Sequence, residues 1–221
     1  EDVILEVGTG TGGMTGMLAG RAAAVVTVEL DRHLFQMAAE ELAGCENVTM
    51  LCQDALRNKN TIDKRVLDAV DQQREAGPAR HFKLVANLPY NIATPLISNL
   101  LAQPSPPQTM TVTIQKELAD RLTAQPGTKD YGHLSVWVQS QCEVSLIRIL
   151  PPTVFWPRPK VESAIVHIVL DPEKRRRIAD LDFFHRFTRA LFFHRRKYLR
   201  SVLVSAFKGQ LKKADVDQVL A

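Results

Sequence analysis

The chain has 221 residues, 28 Lys and Arg against 24 Asp and Glu, and 45% hydrophobic residues. That length can bury a core in one large domain, or in one domain plus a small second one. No apolar run approaches the ~20 residues of a membrane span, and the opening Glu1-Asp2 lacks the basic start of a secretory signal. Cys45, Cys52 and Cys142 are odd in number, widely spaced and outside any zinc-ligand spacing. They read as three buried or neutral thiols in a reducing cytoplasm, and no metal is expected. Charge is uneven along the chain: residues 1–171 hold 15 Lys and Arg against 19 Asp and Glu, net −4, whereas residues 172–221 hold 13 against 5, net +8. A basic tail on a mildly acidic body fits a polyanionic partner gripped by one end, or a solvated helical surface. Charge alone leaves both readings open.

Residues 3–7 (V-I-L-E-V) form a buried strand. Because the chain opens on a core strand, residues upstream of it are expected in the native protein. A glycine-rich loop, Gly8 to Gly13, leads into a helix from Met14 to Ala19. A second buried strand spans 23–29. Residues 32–43 form a helix with Leu34, Met37, Ala38 and Leu42 on one face. The third strand is 48–52. Segment 57–80 is polar and broken at Gly77-Pro78, with Ile62, Val66, Leu67 and Val70 marking a short amphipathic helix. The fourth strand is 82–86, followed by a helix over 93–102 and a loop from Pro104 to Pro107. A fifth strand at 109–114 leads into a helix over 115–124, and residues 134–141 are helical. Strands 143–150 and 163–170 are joined by a proline-rich connection, Pro151 to Pro159, with no helix between them. That pattern predicts an antiparallel terminal pair at the sheet edge. From Asp171-Pro172 the chain turns helical and basic.

Alternating strands and helices imply a mostly parallel α/β sheet. Ligands in such sheets bind at the carboxyl ends of the strands, near the switch in strand order. The first strand ends in Glu6-Val7-Gly8-Thr9-Gly10-Thr11-Gly12, where glycines let the backbone approach a ligand at a helix N-terminus. The motif is shared by nicotinamide, flavin and S-adenosylmethionine sites. The second strand ends at Glu29-Leu30, and the Glu29 carboxylate suits a ribose diol. Asp31 competes for that role but reads better as a helix N-cap. After the third strand, Asp54-Ala55 offers an acceptor for an adenine amine, or alternatively a helix cap. No Lys or Arg precedes Arg32 except Arg21, outside the loops, so a pyrophosphate lacks a partner. The loops therefore favour S-adenosylmethionine over a dinucleotide. The assigned cofactor set is Glu6, Gly8, Thr9 and Gly10 from the first loop, Glu29 and Leu30 from the second, Asp54 and Ala55 from the third, and Asn87.

After the fourth strand comes Asn87-Leu88-Pro89-Tyr90-Asn91. It resembles the loop class of methyltransferases that act on planar exocyclic amines. There the Asn87 oxygen and a loop carbonyl, that of Leu88, accept the amine hydrogens and localise its lone pair. Pro89 fixes the turn and adds no donor, and Tyr90 stacks on a flipped base. These four are the catalytic candidates. Together with Q-K-E-L-A-D-R-L, Y-G-H-L-S-V, F-W-P-R-P-K-V-E-S-A and F-F-H-R-R-K-Y-L, this loop resembles the small-subunit ribosomal RNA adenine dimethyltransferases, the KsgA family, from Glu6 to about Phe207.

The resemblance implies a Rossmann-like seven-stranded methyltransferase sheet over residues 1–171 and a small basic helical domain over 172–221. It implies methylation of adenine N6 at two adjacent adenosines near the 3′ end of small-subunit RNA, and a role in ribosome assembly. It puts Gly8, Glu29, Asp54 and Asn87 on cofactor-contact positions. The expected partners are small-subunit ribosomal RNA and the immature small subunit, met by a cytoplasmic monomer without membrane attachment. Two departures stand out: the family's N-terminal segment is absent, and 57–80 is long. The chain is also expected to stop before the last family helices. Arg158 and Lys160, between prolines, and Arg195, Arg196 and Lys197, after an apolar helix face, are candidate phosphate contacts. Arg175 to Arg177, Arg186, Arg189 and Arg200 extend that footprint. A large-subunit RNA methyltransferase and a non-catalytic RNA-binding assembly factor are the alternatives.

Overall fold

The computed structural model describes residues 2–77, 79–193, 197–207, 209 and 212–220. Its main sheet contains β1 (Asp2–Val7), β2 (Ala24–Glu29), β3 (Val48–Cys52), β6 (His81–Asn87), β7 (Thr109–Gln115), β8 (Cys142–Leu150) and β9 (Ser163–Leu170). The strand order is β3-β2-β1-β6-β7-β9-β8. The first five run parallel, and β9 is antiparallel to both β7 and β8. The terminal pair therefore lies at one edge, as the helix-free proline connection predicts, with β9 inserted between β7 and β8.

Side-chain alternation divides each strand between two layers. Val3, Leu5 and Val7 join one apolar cluster with Val66 and Val70 of α3 (Lys64–Glu75) and Leu96, Ile97 and Leu100 of α4 (Tyr90–Leu101). The intervening Glu6 faces the other way, towards Thr15 of α1 (Gly13–Ala19). Helix α2 (Arg32–Glu41) packs beside β2 and β3, while α5 (Lys116–Thr123) and α6 (His133–Gln139) cover β7 to β9.

Two elements differ from the sequence expectation. Segment 57–80 contains a hairpin, β4 (Leu56–Asn58) and β5 (Thr61–Ile62), ahead of α3. Asn60 donates its N–H to the Asn58 side chain at 2.8 Å, folding the chain back. Asp63 then caps α3 by accepting from Arg65 N–H. Ile62 is consequently a buried strand residue, not part of the helix. Helix α4 starts at Tyr90 rather than 93. Pro89 is its N-cap, and Pro95 lies within it. Pro95 lacks only a bond to the carbonyl of Asn91, which lies in the exposed first turn.

After the sheet come α7 (Pro172–Arg176), α8 (Leu181–Phe193), α9 (Leu199–Ala206) and α10 (Lys213–Leu220). Helix α8 docks on α6, where Trp137 meets Phe184 and His185 with ring centroids 6.2 and 4.6 Å apart. Phe183, Phe187 and Phe207 stack among themselves between α8 and α9. Among the described residues no helix is long and apolar enough to cross a membrane.

Candidate active site

Strand order reverses at β1, which has β2 on one side and β6 on the other. The loops leaving β1 and β6 therefore face each other across the crevice where α/β sheets bind ligands. They are in close contact. A Cβ built on Gly8 would come within 3.3 Å of the Pro89 ring and 3.5 Å of the Asn87 carbonyl, at φ +89°. Gly8 thus serves both the turn and the fit against the β6 loop. At Gly10, φ +58°, a Cβ would meet nothing within 4 Å, so this backbone is open to an incoming group.

Beneath the loop lies a buried polar chain. Thr27 and Thr15 both donate to one Glu6 carboxylate oxygen, at 2.7 and 2.5 Å. With its hydrogen committed to Glu6, the Thr27 hydroxyl accepts from Thr9 at 2.6 Å. Thr9 therefore points inward and leaves only its backbone for a cofactor. Glu6 is fully buried, and its Oε1 has no partner among the described residues. Burial outweighs the threonine bonds and raises its pKa. Glu6 braces the loop from below and keeps one acceptor unused.

Glu29, 8% exposed, ends β2. Its two oxygens accept from Gly10 N–H and Asp31 N–H, each at 2.9 Å, which ties the second loop to the first and orients the carboxylate. Asp31 is the α2 N-cap: its Oδ1 accepts from His33 and Leu34. Those Leu34 and His33 N–H groups hold its carboxyl below the usual carboxylate range. Leu30, 66% exposed, offers an apolar surface beside Glu29. The third loop is joined to this end by Gln53 N–H on the Glu29 carbonyl at 3.0 Å. Asp54 caps no helix. Its Oδ1 accepts from Leu56 N–H at 2.8 Å on entry to the hairpin, with Ala55 buried beside it.

These residues fit S-adenosylmethionine: an open glycine backbone at Gly10, an oriented carboxylate at Glu29, an exposed apolar neighbour at Leu30 and a second carboxylate at Asp54. None of them is a cation that would suit a pyrophosphate.

Asn87 ends β6 and is exposed. Its side-chain amide has no partner among the described residues. Leu88 is buried and donates its N–H to Thr113 at 3.1 Å, which fixes the peptide plane. The Pro89 carbonyl accepts from Ile92 N–H at 3.1 Å. Tyr90 begins α4, and its hydroxyl lies 2.6 Å from the hydroxyl of Ser163 at the start of β9. Ser163 was not singled out from the sequence. Its partner is 73 residues away, and only the insertion of β9 beside β7 brings the two together.

The basic footprint divides. Arg158, Lys160 and Lys197 are exposed. Arg195 and Arg196 lie outside the described residues. Arg175 is turned inward, donating to the Leu101 carbonyl at 2.7 Å, to the Gln103 carbonyl at 2.8 Å and to the Gln141 side chain. It braces α7 against the end of α4 and the turn between α6 and β8, so its guanidinium is occupied within the protein. Arg176 pairs with Glu173, and Arg200 with Asp217. Arg189 of α8 instead faces Arg121 of α5 across a cavity of about 430 Å³ that also reaches Asn91 and Lys59. His133 and His185 line it, rings 4.9 Å apart. The Thr188 hydroxyl donates to the Phe184 carbonyl at 2.8 Å, so His133 Nδ1 donates to Thr188, at 2.9 Å. Burial, aided by His185, Arg189 and Arg121, holds His133 down to about 4. The sequence reading missed Arg121 and both histidines, because nothing local brings α5, α6 and α8 together.

The family model described as ribosomal RNA adenine dimethylase matches residues 1–220. Ribosomal RNA small subunit methyltransferase A of Listeria monocytogenes serotype 4a is 38% identical over 215 residues, covering 97% of this chain and 70% of that protein. A dimethyladenosine transferase of Plasmodium falciparum, solved as a crystal structure, superposes with a TM-score of 0.74 at 26% identity, covering 92% of this chain and 67% of that one. The 23S rRNA methyltransferase ErmE, at 24% identity and a TM-score of 0.68 over 98% of this chain and 81% of its own, shares the fold. The sheet, the paired loops at its switch point and these matches agree: the chain belongs to the ribosomal RNA adenine dimethylase family.

Proposed function

We propose that this chain uses S-adenosylmethionine to dimethylate adenine N6 at two adjacent adenosines near the 3′ end of small-subunit (16S) ribosomal RNA. The supporting observation is the abutment of Gly8 on Asn87 and Pro89, which sets the cofactor loop against an adenine-binding loop. When bound, the cofactor supplies an electrophilic methyl on a sulfonium. The residues of the chain act on the adenine, whose N6 lone pair is delocalised into the ring. The Asn87 side-chain oxygen and the Leu88 carbonyl accept the N6–H bonds and localise that pair. The Pro89 carbonyl is committed to Ile92, which leaves Leu88 as the second acceptor. Tyr90, anchored through Ser163, presents its ring to the flipped base. The methylated amine is acidic enough to lose its proton to water, and the second transfer uses the remaining N–H.

Residues 1–171 carry the cofactor and the chemistry. Residues 172–221, with Arg195, Arg196 and Lys197, and the connection bearing Arg158 and Lys160 hold phosphates. The substrate is the immature small subunit in the cytoplasm, and the enzyme acts as a monomer. The test is methyl transfer from labelled S-adenosylmethionine to unmethylated small subunits, with the modified base identified by mass. Asn87→Ala should lower turnover by ~10²–10³ while the fold stays intact. Near-wild-type turnover at saturating cofactor would remove Asn87 from catalysis, and label on large-subunit RNA alone would refute the substrate.

A further inference from the structure

The chain has two tryptophans. Trp137 is fully buried in the core, whereas Trp156 is 96% exposed. An indole is among the largest apolar surfaces a chain can hide, and burying one is strongly favourable in water. No other described side chain stacks on it. Trp156 lies in the β8–β9 connection, just beyond a short 3-10 turn at Pro152–Val154. That connection ends at Ser163, whose hydroxyl is bonded to Tyr90 of the catalytic loop. Arg158 and Lys160 follow within four residues, both exposed and without an ion pair or hydrogen bond among the described residues. Pro157 and Pro159 limit how far this stretch can flex. The connection's acid, Glu162, has its backbone carbonyl engaged by Lys116 N–H, and its carboxylate acts on the Lys116 ammonium.

We propose that Trp156 is a stacking platform for an unpaired RNA base flanking the methylated adenine, with Arg158 and Lys160 on the adjoining phosphates. This rests on the adenine-methylation reading. A target adenine taken from single-stranded RNA brings unpaired neighbours with it to the Asn87 loop. A bare indole face beside free cations is the combination that holds single-stranded nucleic acid without reading its sequence. The exposed apolar residues of the connection beside Trp156, Val154 and Val161, are small, and a single ring followed by two cations suits a base and its phosphates better than a membrane or protein face.

The two tryptophans provide the assay, because buried Trp137 and exposed Trp156 emit at different wavelengths. The intact chain is titrated with a short single-stranded oligoadenylate, and in parallel with an RNA duplex of the same length. Single strand should quench the long-wavelength emission and duplex should not. Trp156→Leu should abolish that quenching and weaken single-strand binding roughly 5- to 150-fold, the range of one base stack. Trp156→Phe should recover most of the affinity. In methyl transfer, Trp156→Leu should raise KM more than it lowers kcat, with cofactor affinity and melting temperature unchanged. Equal quenching by duplex, wild-type RNA affinity in Trp156→Leu, or an indole already shielded from iodide in the free protein would overturn the proposal. If Trp156→Leu methylates with wild-type KM while Asn87→Ala is inactive, stacking fails and adenine methylation stands. If the wild-type chain binds single strand through Trp156 but methylates no RNA, it is the functional reading that fails.

Discussion

Replacing Glu29 by Gln tests the cofactor end of the site with little change in shape. In the native loop each carboxylate oxygen accepts one backbone N–H, from Gly10 and from Asp31. The amide keeps a single acceptor oxygen, so one of these donors faces an NH2 group whichever way the side chain is turned. The same change removes the negative charge and one acceptor from the ribose hydroxyls. A hydrogen bond to a charged group contributes about 1.5–3 kcal/mol. Losing one such bond should weaken S-adenosylmethionine roughly 10- to 150-fold. The unpaired backbone donor should lower stability by about 1–3 kcal/mol as well. Calorimetric titration gives the first quantity, and a denaturant melt without cofactor gives the second. Asp31→Ala is the control: its carboxylate is engaged in capping α2, so it should lower the melting temperature and leave Kd unchanged. A Glu29→Gln Kd within twofold of wild type, or a large Kd change in Asp31→Ala, would refute the assignment of the ribose acceptor.

Two further outcomes are expected. His133 is held down to about 4 by burial in the α5–α6–α8 cavity, with His185, Arg189 and Arg121 facing it and Asp182 near His185. The unfolded chain binds the proton near 6.5 and the folded chain does not, so stability should fall as pH drops from about 6.5 to 4. Allowing for solvent that reaches the ring, the loss should be on the order of 1–2 kcal/mol. Melts of wild type and His133→Gln across that range measure it, and parallel slopes in the two proteins would assign the effect elsewhere. At the basic end, changing Arg195, Arg196 and Lys197 together to Ala should weaken RNA binding across many sequences. It should flatten the salt dependence by roughly 0.7–0.9 per lost phosphate contact. An unchanged salt slope with a lowered melting temperature would make these residues structural.

The strands, their alternation with helices and the loops that carry Gly8, Glu29, Asp54 and Asn87 were legible from sequence because each is a local property. Buried parallel strands are continuous apolar runs, and a ligand loop announces itself by the residue types at a strand end. Asp31 was legible as an N-cap for the same reason. What lay beyond the sequence depends on contacts between distant segments. The inward turn of Thr9 requires Thr27 and Glu6 on the same face of two neighbouring strands. Arg175 looked like part of a phosphate footprint because charge was counted along the chain; folded, it meets the carbonyls of Leu101 and Gln103 more than 70 residues away. The Tyr90–Ser163 tether follows from an antiparallel insertion whose register side-chain packing sets. Composition places charges and apolar groups in the chain, but only packing decides which of them stay in water, and that left Trp156 bare in the β8–β9 connection while Arg175 was drawn inside.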